Sequence, residues 1–186
     1  MATNERSAVM DEAAVNRAVA RMAREIIERN GGTEGLVLMG IHRRGTQIAA
    51  LLRSEIEKAE GVRVPVGSID ITLYRDDLMQ VGPKPVVGGS DLPLSGIDDE
   101  KIVIVDDVLY TGRTIRAAMN ELMDWGRPAQ IHLCVLVDRD GRELPIQADV
   151  VGRHVEVLRG QQVEVLVPGL DGRLGVDLVT IRREDA

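Results

Sequence analysis

The sequence predicts an α/β fold, a mostly parallel central sheet with helices on both faces. Three observations carry this. "LVLMGI" (36–41), "KIVIV" (101–105) and "IHLCVLV" (131–137) are continuous apolar runs of strand length, which is how strands buried on both faces read. Segments with helical apolar spacing stand between them. Finally, "HRRG", "DDVLYTGRT" and "DRDGRELP" follow these runs directly, and loops at the C-terminal ends of parallel strands are where such a fold builds its site.

Taken in order, residues 11–30 read as a helix, with Val15, Val19, Met22 and Ile26 on one face, Asp11 as cap and Gly31-Gly32 as stop. Its other face carries Arg17, Arg21 and Arg24, with Glu28 continuing the row. After the strand at 36–41, "HRRG" reads as a loop and "TQIAALLRSEIEKAE" as a helix ending near Gly61. "VPVGSIDITLY" (64–74) is β-branched and reads as a strand. Residues 75–98, rich in Gly, Pro and Asp, break the pattern, and a connection of that length is usually functional or mobile. "RTIRAAMNELMDWG" reads as a helix with Ile115, Met119, Leu122 and Met123 on one side, stopped at Gly126. "ADVVG", "QQVEVLV" and "VDLVTIR" read as shorter strands. The whole chain, 1–186, reads as a single domain.

Composition narrows the function. A net charge of -7 argues against a generic electrostatic nucleic-acid binder but leaves room for a local basic patch. The chain has no Phe and three other aromatics, Tyr74, Tyr110 and Trp125, too few for a base-stacking platform. There is no apolar run long enough for a membrane span, and the N-terminus reads as neither signal nor transit peptide. The lone Cys134 lies in an apolar run and reads as a buried small hydrophobe. With no intramolecular disulfide available, the expected compartment is the cytoplasm. Neither a P-loop nor a dinucleotide-binding glycine fingerprint appears, there is no nucleophile elbow, and His42, His132 and His154 show no metal-ligand spacing.

The chemistry concentrates in "VIVDDVLYTGRT" (103–114). A strand that stops at "VDD" places Asp106 and Asp107 at the mouth of the sheet. Thr111 and Thr114 offer hydroxyls, Gly112 lets the backbone turn tightly, and N–H groups at a helix start bind phosphate. The carboxylates repel that phosphate, so they suit neutral hydroxyls a few ångströms away. Vicinal hydroxyls beside an anionic end are the pattern of a sugar phosphate. An inert solvated strand end or a metal-holding pair of acids are the alternatives, and receiver domains also carry "VDD" after a strand.

"IVIVDDVLYTGRT" (102–114) resembles the PRPP-binding motif of type I phosphoribosyltransferases. "DITLYRDDL" (70–78), "GRP" (126–128), "VLVDR" (135–139) and "RELPI" (142–146) resemble, in order, the PyrR family of pyrimidine operon attenuators that are also uracil phosphoribosyltransferases. The resemblance implies a type I phosphoribosyltransferase fold with a small hood of short strands and a flexible lid loop at about 75–98. It implies the reaction uracil plus PRPP to UMP plus pyrophosphate. Asp106 and Asp107 would bind the ribose 2'- and 3'-hydroxyls, with Val108, Leu109 and Tyr110 continuing the PRPP motif. Thr111, Gly112, Arg113 and Thr114 would take the 5'-phosphate. Arg43, Arg44 and Gly45 would take the pyrophosphate, with Arg44, Asp106 and Asp107 as the catalytic set. Tyr74 and Arg75 would stand at the lid hinge, and Val137, Asp138 and Arg139 beneath uracil. Mg²⁺ would be held mainly by PRPP and water. The family also binds pyr leader mRNA in a UMP- or UTP-dependent manner, which would place RNA on Arg17, Arg21, Arg24, Arg142 and Arg153 and imply a homodimer or higher homo-oligomer. Three departures fall outside the PRPP motif: Gln147 in place of a basic residue, "VDRDGRELP" for "VDRGHRELP", and "GRHVEVLRGQQ" for the family's "GKN" turn.

Overall fold

The computed structural model describes residues 5–71 and 89–181, and among them two sheets form. In chain order the elements are β1 (Glu5–Met10), α1 (Glu12–Asn30), β2 (Leu36–Ile41), α2 (Arg44–Glu60), β3 (Val66–Ile69), β4 (Lys101–Leu109), α3 (Arg113–Trp125), β5 (Gln130–Arg139), β6 (Val150–Val155), β7 (Gln161–Leu166), α4 (Pro168–Asp171) and β8 (Gly175–Thr180). Five strands make a parallel sheet in the order β3-β2-β4-β5-β6. The other three make a small antiparallel sheet, β1-β8-β7, from the two ends of the chain.

Alternation along the parallel strands divides the core. Leu36, Leu38, Val103, Val105, Cys134 and Leu136 face α1 and α2, meeting Val15, Val19, Met22, Ile48, Leu52 and Ile56. Val37, Met39, Ile102, Ile104, Leu133 and Val135 face α3, meeting Ile115, Ala118 and Leu122. Each Val, Leu, Ile or Met side chain among these contributes about 1.5–3 kcal/mol on burial before entropy is subtracted. The antiparallel sheet joins the first layer through Met10, Val165, Val167, Leu174 and Val176. Cys134 is fully buried, and burial pushes its thiol pKa up, which makes it inert.

The helix signals hold at α1. Asp11 accepts from the backbone N–H of Ala14 at 2.7 Å, a cap contributing about 1 kcal/mol. Gly31 closes the helix at φ 71°, the left-handed conformation glycine adopts without strain.

Several boundaries differ from the sequence reading. α2 begins at Arg44, so Arg44 and Gly45 lie in a helical first turn rather than a loop. β4 does not stop at "VDD" but runs on to Leu109, because Asp106, Val108 and Leu109 pair with Val135, Val137 and Asp138 of β5. Ladder pairing outweighs the low strand preference of aspartate. The described part of the 64–74 strand is β3 alone; Tyr74, Arg75 and residues 75–88 of the expected lid loop lie outside the described residues. On α3, Met123 is 59% exposed and Glu121 is buried in its stead. The inner face follows Ala117, Ala118, Glu121 and Leu122, one step round from the expected stripe. β1 and α4 occupy stretches that the pattern leaves unassigned, since β1 is ordered only by its long-range partner β8.

Candidate functional site

The site forms where β2, β4 and β5 end. Its first wall is the corner from β2 into α2. A Cβ on Gly45 would lie 2.5 Å from the carbonyl oxygen of Val105 and 3.3 Å from the Asp106 Cα. Only glycine lets the first turn of α2 lie directly on β4 at the first acid. A Cβ on Gly40 would likewise strike the Thr46 Cα at 2.5 Å. Arg43 and Arg44 are thereby carried to the edge of the acids. The His42–Arg43 peptide bond is cis. Arg43 is exposed and its carbonyl accepts from the Thr46 hydroxyl at 2.7 Å. Arg44 reaches the other way: its Nη2 donates to Asp171 Oδ1 at 2.9 Å, tying α2 to α4, while its Nε is buried with no acceptor among the described residues.

The floor is the end of β4. Asp106 is 5% exposed and Asp107 half-buried. Burial holds the Asp106 carboxyl well above the usual carboxylate range; the charge and side-chain hydrogen bonding of Asp107 add to this, and a bond from the Asp107 backbone N–H opposes it. That backbone bond reaches Asp106 Oδ1 at 2.9 Å, and the Val108 N–H reaches Asp107 Oδ1 at 2.9 Å. Each carboxyl is thus fixed by a backbone N–H of its own chain, and the two side chains also interact with each other.

The second wall is the turn into α3. Gly112, at φ 92°, is the N-cap and carries no side chain to close the helix end. A Cβ there would press on Ile146 and Leu144 at 3.3–3.4 Å. The Thr111 carbonyl accepts from the backbone N–H of Glu143 at 3.0 Å and of Leu144 at 3.1 Å. Arg113 donates through Nε to Glu143 Oε2 at 2.6 Å. The Thr111 hydroxyl accepts from the Arg113 N–H at 3.3 Å, and this amide end, with no side chain on its N-cap residue and beside two carboxyls, suits an anion flanked by hydroxyls.

The third wall is the β5–β6 connection, and Arg142 organises it. Its guanidinium donates to Asp138 Oδ1 (2.6 Å), to the carbonyls of Tyr110 (2.6 Å) and Arg139 (3.3 Å), and to that of Ile146 (2.8 Å). The Tyr110 ring carries the Arg139 guanidinium 3.8 Å above its centroid and rests against Gly141, where any Cβ would collide with it. Between this wall and the small sheet lies a cleft of about 700 Å³, lined by Val108, Tyr110 and Arg139 on one side and Arg159, Gln162 and Ile181 on the other. Val137 is fully buried beneath.

The structure therefore brings Arg43, Gly45, Asp106, Asp107, Thr111, Gly112, Arg113, Thr114, Asp138 and Arg139 to one end of the parallel sheet. Among the expected RNA-contacting residues, Arg17, Arg21 and Arg24 share the exposed face of α1. Arg21 is already engaged, donating to the carbonyls of Val151 (3.0 Å) and Gly152 (2.6 Å), and Arg153 donates to the Val9 carbonyl at 3.0 Å. Arg142 is turned inward onto its own loop, bonded to Ile146 and Asp138. Asp171, Arg159 and Gln162 belong to the site region although no local pattern marks them. They arrive through the fold of the small sheet.

Among the described residues no helix is long and apolar enough to cross a membrane, and no group of three or more His, Cys, Asp or Glu is placed to hold a metal.

Residues 5–171 match the phosphoribosyl transferase domain family. The bifunctional protein PyrR of Listeria monocytogenes serotype 4b is 53% identical over 180 residues, 95% of this chain and 97% of that protein. That of Herpetosiphon aurantiacus is 50% identical over 177 residues, 95% and 97% of the two. Among solved structures, a hypoxanthine phosphoribosyltransferase of Trypanosoma cruzi superposes with a TM-score of 0.71 at 22% identity, covering 94% of each chain. A hypoxanthine phosphoribosyltransferase from Staphylococcus aureus gives 0.65 at 17%, covering 95% and 92%; at such identity the likeness shows the fold, a parallel sheet with a separate small hood. The hood over the sheet, the domain match along nearly the whole chain and relatives sharing half its residues agree, and the chain belongs to the phosphoribosyltransferase domain family, within its PyrR group of bifunctional proteins.

Proposed function

We propose that this protein transfers ribosyl phosphate from PRPP to uracil, releasing pyrophosphate, and that as a regulator of pyrimidine biosynthesis it binds pyr leader mRNA when loaded with a uridine nucleotide. The observation that carries the first half is the abutment of Asp106 and Asp107 against the glycine-started amide end of α3, with the Arg43–Arg44 turn laid on β4 by Gly45.

Displacement at the anomeric carbon passes through an oxocarbenium-like state. The carboxyls of Asp106 and Asp107 accept from the ribose 2'- and 3'-hydroxyls and hold the ring. A carboxyl whose charge burial disfavours suits neutral hydroxyls better than it suits a cation. Thr111, Gly112, Arg113 and Thr114 seat the 5'-phosphate on backbone N–H groups and hydroxyls. Arg43 and Arg44 meet the departing pyrophosphate with charge-assisted hydrogen bonds. Arg44 does so by exchanging Asp171 for the substrate, and its unused buried Nε is a donor in waiting. Val137, Asp138 and Arg139 sit beneath the cleft in which uracil lies, with Tyr110 as its side wall.

Mg²⁺ supplies charge neutralisation on the pyrophosphate when bound. The donor set fits an ion brought largely by the substrate: Asp107 offers a hard oxygen ligand at the ribose end, and Mg²⁺ readily keeps phosphate oxygens and waters as its other ligands.

For RNA, α1 presents Arg17 and Arg24 with no hydrogen bond or ion pair among the described residues, beside Arg21 and the β6 edge that carries Arg153. A local row of this kind binds phosphates despite the overall negative charge. A cytoplasmic homo-oligomer would double the row.

Turnover of PRPP with a panel of free bases tests the transferase reading; uracil should be the preferred acceptor, and a purine preference would overturn it. Titration of a pyr leader RNA with and without UMP tests the regulatory one, and RNA affinity indifferent to UMP would count against it.

A further inference from the structure

The inner face of α3 carries a carboxyl that core packing does not require. Glu121 is 4% exposed and lies with Ala117, Ala118 and Leu122. Its Oε1 accepts a hydrogen bond from the Ser90 hydroxyl. Its Oε2 is buried without a hydrogen-bond partner among the described residues. Burial raises the Glu121 pKa, the Ser90 bond opposes this, the charges of Asp70 and Asp124 raise it further, and that of His42 lowers it. An apolar side chain would avoid the whole desolvation cost, so the position of this carboxyl asks for a reason.

The reason is visible in what Ser90 holds. Its hydroxyl donates to Glu121 and accepts from the Asp70 backbone N–H at 2.8 Å, which uses its single donor and one of its two acceptor lone pairs. On either side, Ser68 and Asp91 exchange backbone hydrogen bonds of 2.8 and 3.0 Å. The Ser68 hydroxyl lies 3.1 Å from His42 Nε2, and the His42 backbone N–H donates to the Ile69 carbonyl at 2.9 Å. His42 immediately precedes Arg43 and Arg44. An unbroken line of hydrogen bonds and covalent chain thus runs from α3, through Ser90 and the exit of β3, to the corner that begins α2.

We infer that Glu121 is a positioning residue for the pyrophosphate half of the site. Through Ser90 it fixes the exit of β3, and through Ser68 and His42 it sets the Arg43–Arg44 turn. The inference rests on the reading that this turn takes the pyrophosphate. The ribose 5'-phosphate half, built on the N-terminal end of α3 and the Arg142 loop, lies outside the line.

The test compares Glu121→Ala, Ser90→Ala and Glu121→Gln with the wild type. Forward KM for PRPP, reverse KM for pyrophosphate and the calorimetric Kd for UMP are measured on each folded protein. Glu121→Ala and Ser90→Ala should raise KM for PRPP and pyrophosphate about 5- to 10-fold, the scale of a small misplacement of a binding group. UMP, which lacks the pyrophosphate, should bind within about twofold of wild type. Glu121→Gln keeps an acceptor for Ser90 and should restore the wild-type constants. Should Glu121→Ala fold poorly, Ser90→Ala, which removes one hydroxyl, gives the same reading. Equal shifts in all three constants, or none, would overturn the inference and leave the transferase reading standing. A wild-type protein without PRPP turnover would remove that reading and this inference with it.

Discussion

Arg142 donates to the carbonyl oxygen of Tyr110 at 2.6 Å, bolting the β5–β6 connection to the turn that leaves β4. The same guanidinium holds Asp138 at 2.6 Å. Two loops far apart in sequence therefore move as one wall of the cleft.

Arg142→Ala should cost about 2 kcal/mol in urea unfolding, short of the roughly 3–5 kcal/mol of a fully buried pair, because the Arg142 side chain is 26% exposed. UMP affinity should fall with it. Arg142→Lys should recover little, because one ammonium cannot replace donors fixed in several directions. Wild-type stability in the lysine variant would show that the charge alone matters.

The double variant Asp106→Asn, Asp107→Asn should lose PRPP and UMP binding while remaining folded. The sign of its stability change follows from the raised Asp106 pKa. A carboxyl that binds its proton more tightly folded than unfolded stabilises the fold at low pH, and that contribution fades as pH rises through its folded pKa. Asp106→Asn alone should then be at least as stable as wild type at neutral pH. Circular dichroism melts paired with calorimetry check this, and unchanged UMP affinity in the folded double variant would refute the site assignment.

Asp171 behaves oppositely. The Val167 N–H bonded to its carboxylate lowers its pKa most, burial opposes this, and the Arg44 and Arg173 cations lower it further. Its contribution is present above the ordinary carboxylate value of about 3.9 and disappears as pH falls through the folded value. Asp171→Asn should flatten the acid limb of the stability profile, with a loss at neutral pH within about 1 kcal/mol, the range of exposed pairs. It should also release Arg44, so the KM for PRPP should not rise.

Arg17→Glu with Arg24→Glu should weaken leader RNA binding and reduce its salt slope by about one for each RNA phosphate no longer neutralised. Uracil turnover should be untouched. Arg21→Glu should lose stability as well, since Arg21 holds the Val151 and Gly152 carbonyls of β6. RNA affinity that ignores both changes would reduce the row to solvated surface.

Much of the site was legible because it is local. The order strand, paired acids, Thr-Gly, helix lies in one continuous stretch, and period and turn chemistry reveal it without any tertiary knowledge. Gly45 and the arginines beside it also lie in one short stretch, but it was the family resemblance, not local pattern, that pointed to their role. Glu121 was not legible: helical spacing alone placed Met123 inward, and what brings the carboxyl inside is its meeting with Ser90, 31 residues away in sequence.

By itself the sequence determined the parallel core, the ends of α1, and the order of groups along the turn from β4 into α3, since these depend on side-chain period, capping and backbone freedom within a few residues. The tertiary structure decided that β4 runs through its acids to Leu109, that β1 joins β8, that Arg44 meets Asp171, and that Arg142 turns inward to join two loops. Such pairings are settled by which surfaces meet once the core has collapsed, and a hydrogen bond across more than a hundred residues leaves no trace in local pattern.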